Sequence, residues 1–109
     1  MKPLILNLLA MAALAAAPAT RTFTGVITDS MCALANHSTM RMGPTDAECT
    51  IACVMVHDAS YMLYDGKSAY TLSDQQTPQK FAGKKVTVKG TLDAKTKAIK
   101  VDTITPTKR

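Results

Sequence analysis

The sequence predicts a small, mainly β domain: a barrel of five short strands, interrupted by one insertion rich in cysteine, histidine and methionine. Three observations carry this. First, polar and apolar residues alternate in "RTFTGVIT", "SYMLY", "SAYTL", "KKVTVKGTL" and "AIKVDTI", the period-two pattern of strands with one buried face. Second, turn-forming residues separate most of these runs, notably Asp65-Gly66-Lys67 and "DAKTK". Third, Asp29 to His57, between the first two runs, holds all three cysteines, both histidines and four of the seven methionines.

In chain order, Met1-Lys2-Pro3, the apolar run "LILNLLAMAALAAA" and Ala17-Pro18-Ala19 have the charged start, short apolar stretch and small-residue site of a secretory signal peptide. Residues 1–19 are therefore expected to be removed, leaving a single domain over residues 20–109. The apolar run, broken by Asn7 and Pro18, is too short to span a bilayer comfortably, which takes about 20 apolar residues, so no membrane span is expected after cleavage. Residues 20–109 carry 12 Lys and Arg against 8 Asp and Glu, a charge of +4. In an exported protein this favours solubility and anionic envelope surfaces over a nucleic-acid partner.

The β-branched and aromatic residues from Thr22 to Thr28 make the first strand. After the insertion, "SYMLY" and "SAYTL" flank Asp65-Gly66-Lys67, a hairpin signal that calls for positive φ at both central turn positions. Ser73 and Gln76 have capping-box spacing and Gly83 supplies a stop, predicting a short helix with Phe81 and Ala82 packed inward. Val86, Val88 and Leu92 alternate with Lys85, Thr87, Lys89 and Thr91 in the fourth strand, where Gly90 marks a bend or bulge. Ile99 and Val101 continue the alternation in the fifth, with Ile104 out of phase as if a bulge intervened. The lysines between these positions read as a solvated outer face.

Five strands with a helical segment between the third and fourth is the element order of an OB-fold barrel. The chain also resembles the small exported OB-like domains of bacteria, many of unknown function. The resemblance rests on Ala82 to Thr91 as an A-G-K-K-V-x-V-x-G-T segment and on Ile99 to Ile104 as an I-x-V-x-x-I strand. It also rests on Asp29-Ser30-Met31-Cys32 as D-S-x-C, followed by His37 and by Cys49 with Cys53. It implies an exported barrel with an insertion between strands one and two, and no established activity.

Within the insertion, Thr45 as N-cap, Glu48 three residues later and Asp46 against the positive dipole end predict a helix running to about His57. These caps outweigh the β-branched character of "TIACVMV". Cys49, Cys53 and His57 then recur every fourth residue along one helix face. Folding the preceding loop back would bring Cys32 and His37 to Cys49 and Cys53. Three sulfurs and an imidazole are a normal ligand set for structural zinc, and Met40, Met42 and Met55 nearby make copper a competitor. A shared metal also accounts for the odd number of cysteines.

Other readings of the same residues stand beside this one. In an oxidising compartment Cys32 could bridge to Cys49 or Cys53, stapling the insertion with a loop-entropy contribution of about 3 kcal/mol in a module that binds a glycan, peptide or envelope protein. A thiol-redox protein, its thiol pKa lowered by the helix N-terminus, is a third. Asp29 reads as a cap after the first strand or as a residue orienting a ligand, His57 as a dipole-matched surface histidine, and Tyr61, Tyr64 and Tyr70 as core or rim residues. No Ser-His-Asp order, H-E-x-x-H or phosphate-cradling loop is present. The expectation is therefore a periplasmic or secreted, non-catalytic binding module with a Cys/His metal site.

Overall fold

In the computed structural model, which describes residues 19–107, β1 (Thr20–Asp29) is the strand on which the barrel closes. Its first part pairs antiparallel with β4 (Lys85–Asp93), from Thr20 opposite Thr91 to Val26 opposite Lys85. Its last part pairs antiparallel with β2 (Tyr61–Tyr64), from Val26 opposite Tyr64 to Asp29 opposite Tyr61. β3 (Ala69–Leu72) follows β2, and β5 (Ala98–Pro106) lies between β3 and β4. The parallel β3–β5 pairing, Thr71 opposite Ala98 and Leu72 opposite Ile99, completes the closed order β1-β2-β3-β5-β4. Five antiparallel-rich strands closed in this order are the predicted barrel.

Alternation places Phe23, Ile27, Tyr61, Leu63, Leu72, Val86, Val88 and Ile99 inside. Phe23 and Tyr70 add a tilted aromatic pair with ring centroids 5.5 Å apart. The bulge lies where the phase change of Ile104 puts it. Lys89 pairs with Thr103 but Gly90 pairs with Val101, so Asp102 is the extra residue and Val101 and Ile104 both reach the core. Gly90 has no room for a Cβ, because the Lys100 carbonyl lies against it.

Two local expectations are corrected. The β2–β3 connection does not place two residues at positive φ; only Gly66 is there, at 101°. The turn is instead held by Asp65 Oδ1, which accepts from the backbone N–H of Lys67 and Ser68, both at 2.8 Å. An aspartate side chain that satisfies two turn donors removes the need for a second left-handed residue. Between β3 and β4 the helical segment is a 3₁₀ helix, Thr77–Phe81, and the Ser73–Gln76 capping box does not form. Asp74 Oδ1 accepts from Gln76 and Thr77 N–H, while Ser73 Oγ is taken by the Val101 N–H at 2.8 Å. Ala82 is buried as expected, and Phe81 packs against the core.

The helix of the insertion, α1 (Asp46–His57), matches its predicted bounds. It packs on β1, and Val54 touches both the barrel core and the cysteine cluster. A strap from Ala82 to Lys84 runs between β1 and the start of α1, with Gly83 N–H bonded to the Ile27 carbonyl at 2.9 Å. Gly83 has φ 74°, and a Cβ there would lie 2.9 Å from the Ala47 backbone nitrogen. Only glycine meets both conditions. The leader expected over residues 1–19 falls almost wholly outside the described residues, among which no helix is long and apolar enough to cross a membrane.

Candidate metal centre

The centre is assembled from the end of β1. Asp29, its last residue, is fully buried. One carboxylate oxygen, Oδ1, accepts from the backbone N–H of Met31 at 2.9 Å and of Cys32 at 3.0 Å. Thr28 Oγ1 donates to the Cys32 carbonyl at 2.6 Å. The strand end and the first turn of the insertion are thus tied from both sides, which fixes the buried Cys32 beside Asp29. Ala35 then turns the chain at φ 58°, its N–H bonded to the Cys32 carbonyl at 2.8 Å, and His37 folds back to 4% exposure.

These three residues converge. A carboxylate oxygen of Asp29, Cys32 Sγ and a ring nitrogen of His37 lie within 4.8 Å of one another, and all three side chains are buried. Donors around a tetrahedral zinc-type ion are separated by about 3.3–3.7 Å, given bonds of about 2.0–2.3 Å, so small side-chain rotations bring the group to ligating distance. Asp29 Oδ2 and His37 Nδ1 have no hydrogen-bond partner among the described residues. Leaving a buried carboxylate oxygen and a ring nitrogen unsatisfied costs about 1–3 kcal/mol each or more, a cost that coordination to a cation removes. The group can hold a metal ion.

The two helix cysteines lie on the buried face of α1. Thr45 Oγ1 accepts from Glu48 N–H at 3.1 Å and donates to Glu48 Oε1 at 3.0 Å, so the helix start is capped. The glutamate takes the hydroxyl proton rather than reaching back to the Thr45 N–H. The buried side of α1 is Cys49, Thr50 and Cys53, a face with little aliphatic surface. Cys49 Sγ accepts from Met42 N–H at 3.3 Å and donates to the Met40 carbonyl at 3.4 Å, holding the loop before the helix. Cys53 is fully buried one turn later, 4.5 Å from Cys49. Of the four expected ligands, the fold brings Cys32 and His37 into one group with Asp29, while Cys49 and Cys53 lie outside that group on the buried face of α1. His57 is exposed in the last helical turn.

Electrostatics follow this crowding. Burial pushes the Cys32 thiol above its usual range; the Asp29 charge and Cys49 add to this, and Arg41 opposes it. Cys53 is pushed up to about 11, first by burial, then by Asp29, Cys49 and Cys32. Tyr61, opposite Asp29 in the β1–β2 ladder, is raised by burial and by the same carboxylate. Both thiols move away from the low values that a redox-active cysteine needs. Nor is there a disulfide staple: all three cysteines are free. The insertion is closed by hydrogen bonds instead, Ser30 N–H to the Ser60 carbonyl at 2.9 Å and Ser60 N–H to Ser30 Oγ at 3.0 Å.

The sequence reads Asp29 as a cap or an orienting residue, and it is a cap through Oδ1. Its membership of the donor group is not legible in the sequence, nor are the buried hydroxyls of Tyr61 and Thr50 that have no partner among the described residues. Register decides it: Asp29 stands directly opposite the buried Tyr61 in the β1–β2 ladder, so both side chains share the buried face, and no residue pattern in the sequence announces that register. A separate groove of about 720 Å³ on β3, β5 and the β4–β5 turn, bordered by Leu72, Leu92, Lys95 and Ile99, shares no residue with the centre. No protein-family model, curated protein or solved structure matches the chain.

Proposed function

We propose that the protein is a small exported binding module that holds one transition-metal ion, zinc or copper, at the insertion between β1 and β2. Cys32 and His37 are ligands, with Asp29 completing the inner group and the helix cysteines at hand. The observation that carries this is the buried cluster of an Asp29 carboxylate oxygen, Cys32 Sγ and a His37 ring nitrogen, in residues whose Oδ2 and Nδ1 have no hydrogen-bond partner among the described residues. Burial also favours holding an ion over acting on a substrate, since Asp29, Cys32 and His37 are 0%, 6% and 4% exposed. Export is supported by the leader-like residues 1–19.

Elemental analysis of protein purified from the periplasm without added metal, together with its intact mass, tests this reading. One equivalent of metal, a chain beginning at Thr20 and loss of the metal on Cys32→Ser are expected. Protein with three alkylatable thiols that takes up neither zinc nor copper(I) on titration would overturn it.

A further inference from the structure

The donor group at the end of β1 leaves two buried sulfurs unused. Cys49 and Cys53, one turn apart on the buried face of α1, are separated by 4.5 Å. With Ala59 they form a small buried cluster of their own, against which Met42 and Val54 pack. Among the described residues no third cysteine, histidine or carboxylate brings a donor atom within 4.8 Å of both thiols, so the cluster offers sulfur alone. Met42 is tied to it through its backbone as well, its N–H donating to Cys49 Sγ at 3.3 Å. Met31, Met40 and Met55 are exposed, which leaves Met42 as the thioether at the cluster.

We propose that Cys49 and Cys53 form a second metal site, which binds one soft monovalent cation of the copper(I) class between the two thiolates, with the Met42 thioether as a third, weaker donor. The site shares no residue with the centre at Asp29, Cys32 and His37 and does not rest on the reading of that centre. A structural zinc ion takes four donors in a tetrahedral array, which this cluster lacks. Thiolate and thioether together are instead the donors that select copper(I). The separation fits the same ion. Metal–sulfur bonds of about 2.3 Å put two sulfurs about 3.8 Å apart at a tetrahedral angle and about 4.6 Å apart across a linear ion, and 4.5 Å is close to the second. On binding, the two thiols lose their protons to solvent, two sulfur–metal bonds form, and the ion keeps its charge of one. The Cys49 thiol gives up its hydrogen bond to the Met40 carbonyl. The single negative charge that remains is met by the Met42 N–H and by the positive dipole end of α1, whose first turn carries Cys49.

Titration of the metal-free protein with zinc(II) and, under anaerobic reducing conditions, with copper(I) tests this. Cys32→Ser is expected to lose zinc yet bind one copper(I) ion as tightly as wild type. Cys53→Ser is expected to keep zinc, which also shows that it is folded, and to lose more copper(I) affinity than the about 10–100-fold that removal of a supporting residue costs. Met42→Leu, which conserves the packing, should weaken copper(I) binding by about tenfold. A further measurement needs no variant: in zinc-saturated wild-type protein, X-ray absorption at the copper edge should show sulfur neighbours and no imidazole nitrogen. Imidazole at the copper, unchanged copper(I) affinity in Cys53→Ser, or a Cys53→Ser protein that is folded by circular dichroism but has lost zinc would each overturn the second site. Copper(I) held at Cys49 and Cys53 in a wild-type protein that takes up neither ion at Asp29, Cys32 and His37 would instead refute the reading of the first centre and leave this site standing.

Discussion

Replacing Asp29 with asparagine is expected to move two properties in opposite directions. Asn keeps an acceptor where Oδ1 meets the Met31 and Cys32 N–H groups, so the turn survives. Those bonds lose their charge assistance, at a cost of about 1 kcal/mol in total. Against this, the buried oxygen that lacks a partner, Oδ2, becomes an uncharged amide NH2 that is still unpartnered, so only the charge-related part of the desolvation cost, about 1–2 kcal/mol, is relieved. The metal-free variant should therefore be unchanged or up to about 1 kcal/mol more stable. The carboxylate that helps hold up the Cys32, Cys53 and Tyr61 pKa values also disappears, so the Cys53 thiol should titrate below about 11. Zinc affinity should fall by about tenfold to a hundredfold or more. Urea unfolding of chelator-treated protein, with and without saturating zinc, reads both effects, because a ligand stabilises the fold by its binding free energy. A variant that is more than about 2 kcal/mol less stable without metal, yet still fully stabilised by zinc, would refute the assignment of Asp29 to the donor group.

Three further outcomes follow from the packing. Metal-free protein should lose stability above about pH 9, the ordinary value of its thiols. Cys53 is protonated in the fold up to about 11 while the unfolded chain ionises earlier, so its contribution is complete below pH 9 and fades toward pH 11. Cys32 and Tyr61 act in the same sense, with a slope of at most about 1.4 kcal/mol per pH unit for each group; a flat stability profile between pH 8 and 11 in chemical denaturation would contradict this. Gly83→Ala, forced to φ 74° against the Ala47 backbone, should lower stability by about 1–3 kcal/mol, measured by calorimetry. Thr45→Ala should cost about 1 kcal/mol in thermal unfolding through loss of the Glu48 N–H cap, with the barrel retained.

The elements of this protein were legible because each is decided by neighbours in the chain. Period-two alternation marks all five strands, the out-of-phase Ile104 announces the β5 bulge, and Thr45 with Glu48 starts α1 where the structure starts it. Local chemistry misleads at two places, a helix start where two caps compete and a hairpin turn. Asp74 took the 3₁₀ start from Ser73, and Asp65 closed the β2–β3 turn without a second positive φ, because a carboxylate accepts two turn donors at once. The centre was legible as a concentration of residues but not as a geometry. Which sulfur meets Asp29 and His37 depends on how the 30–45 loop folds over the barrel end and on which face α1 presents to β1. Those are long-range choices, fixed by burial and by the Ser30–Ser60 bonds across the insertion. The sequence by itself determined a five-stranded barrel with a capped helix and a cysteine–histidine insertion. Only the tertiary structure turned Asp29 inward beside Cys32 and His37, because the β1–β2 register that closes the barrel sets that carboxylate opposite the buried Tyr61.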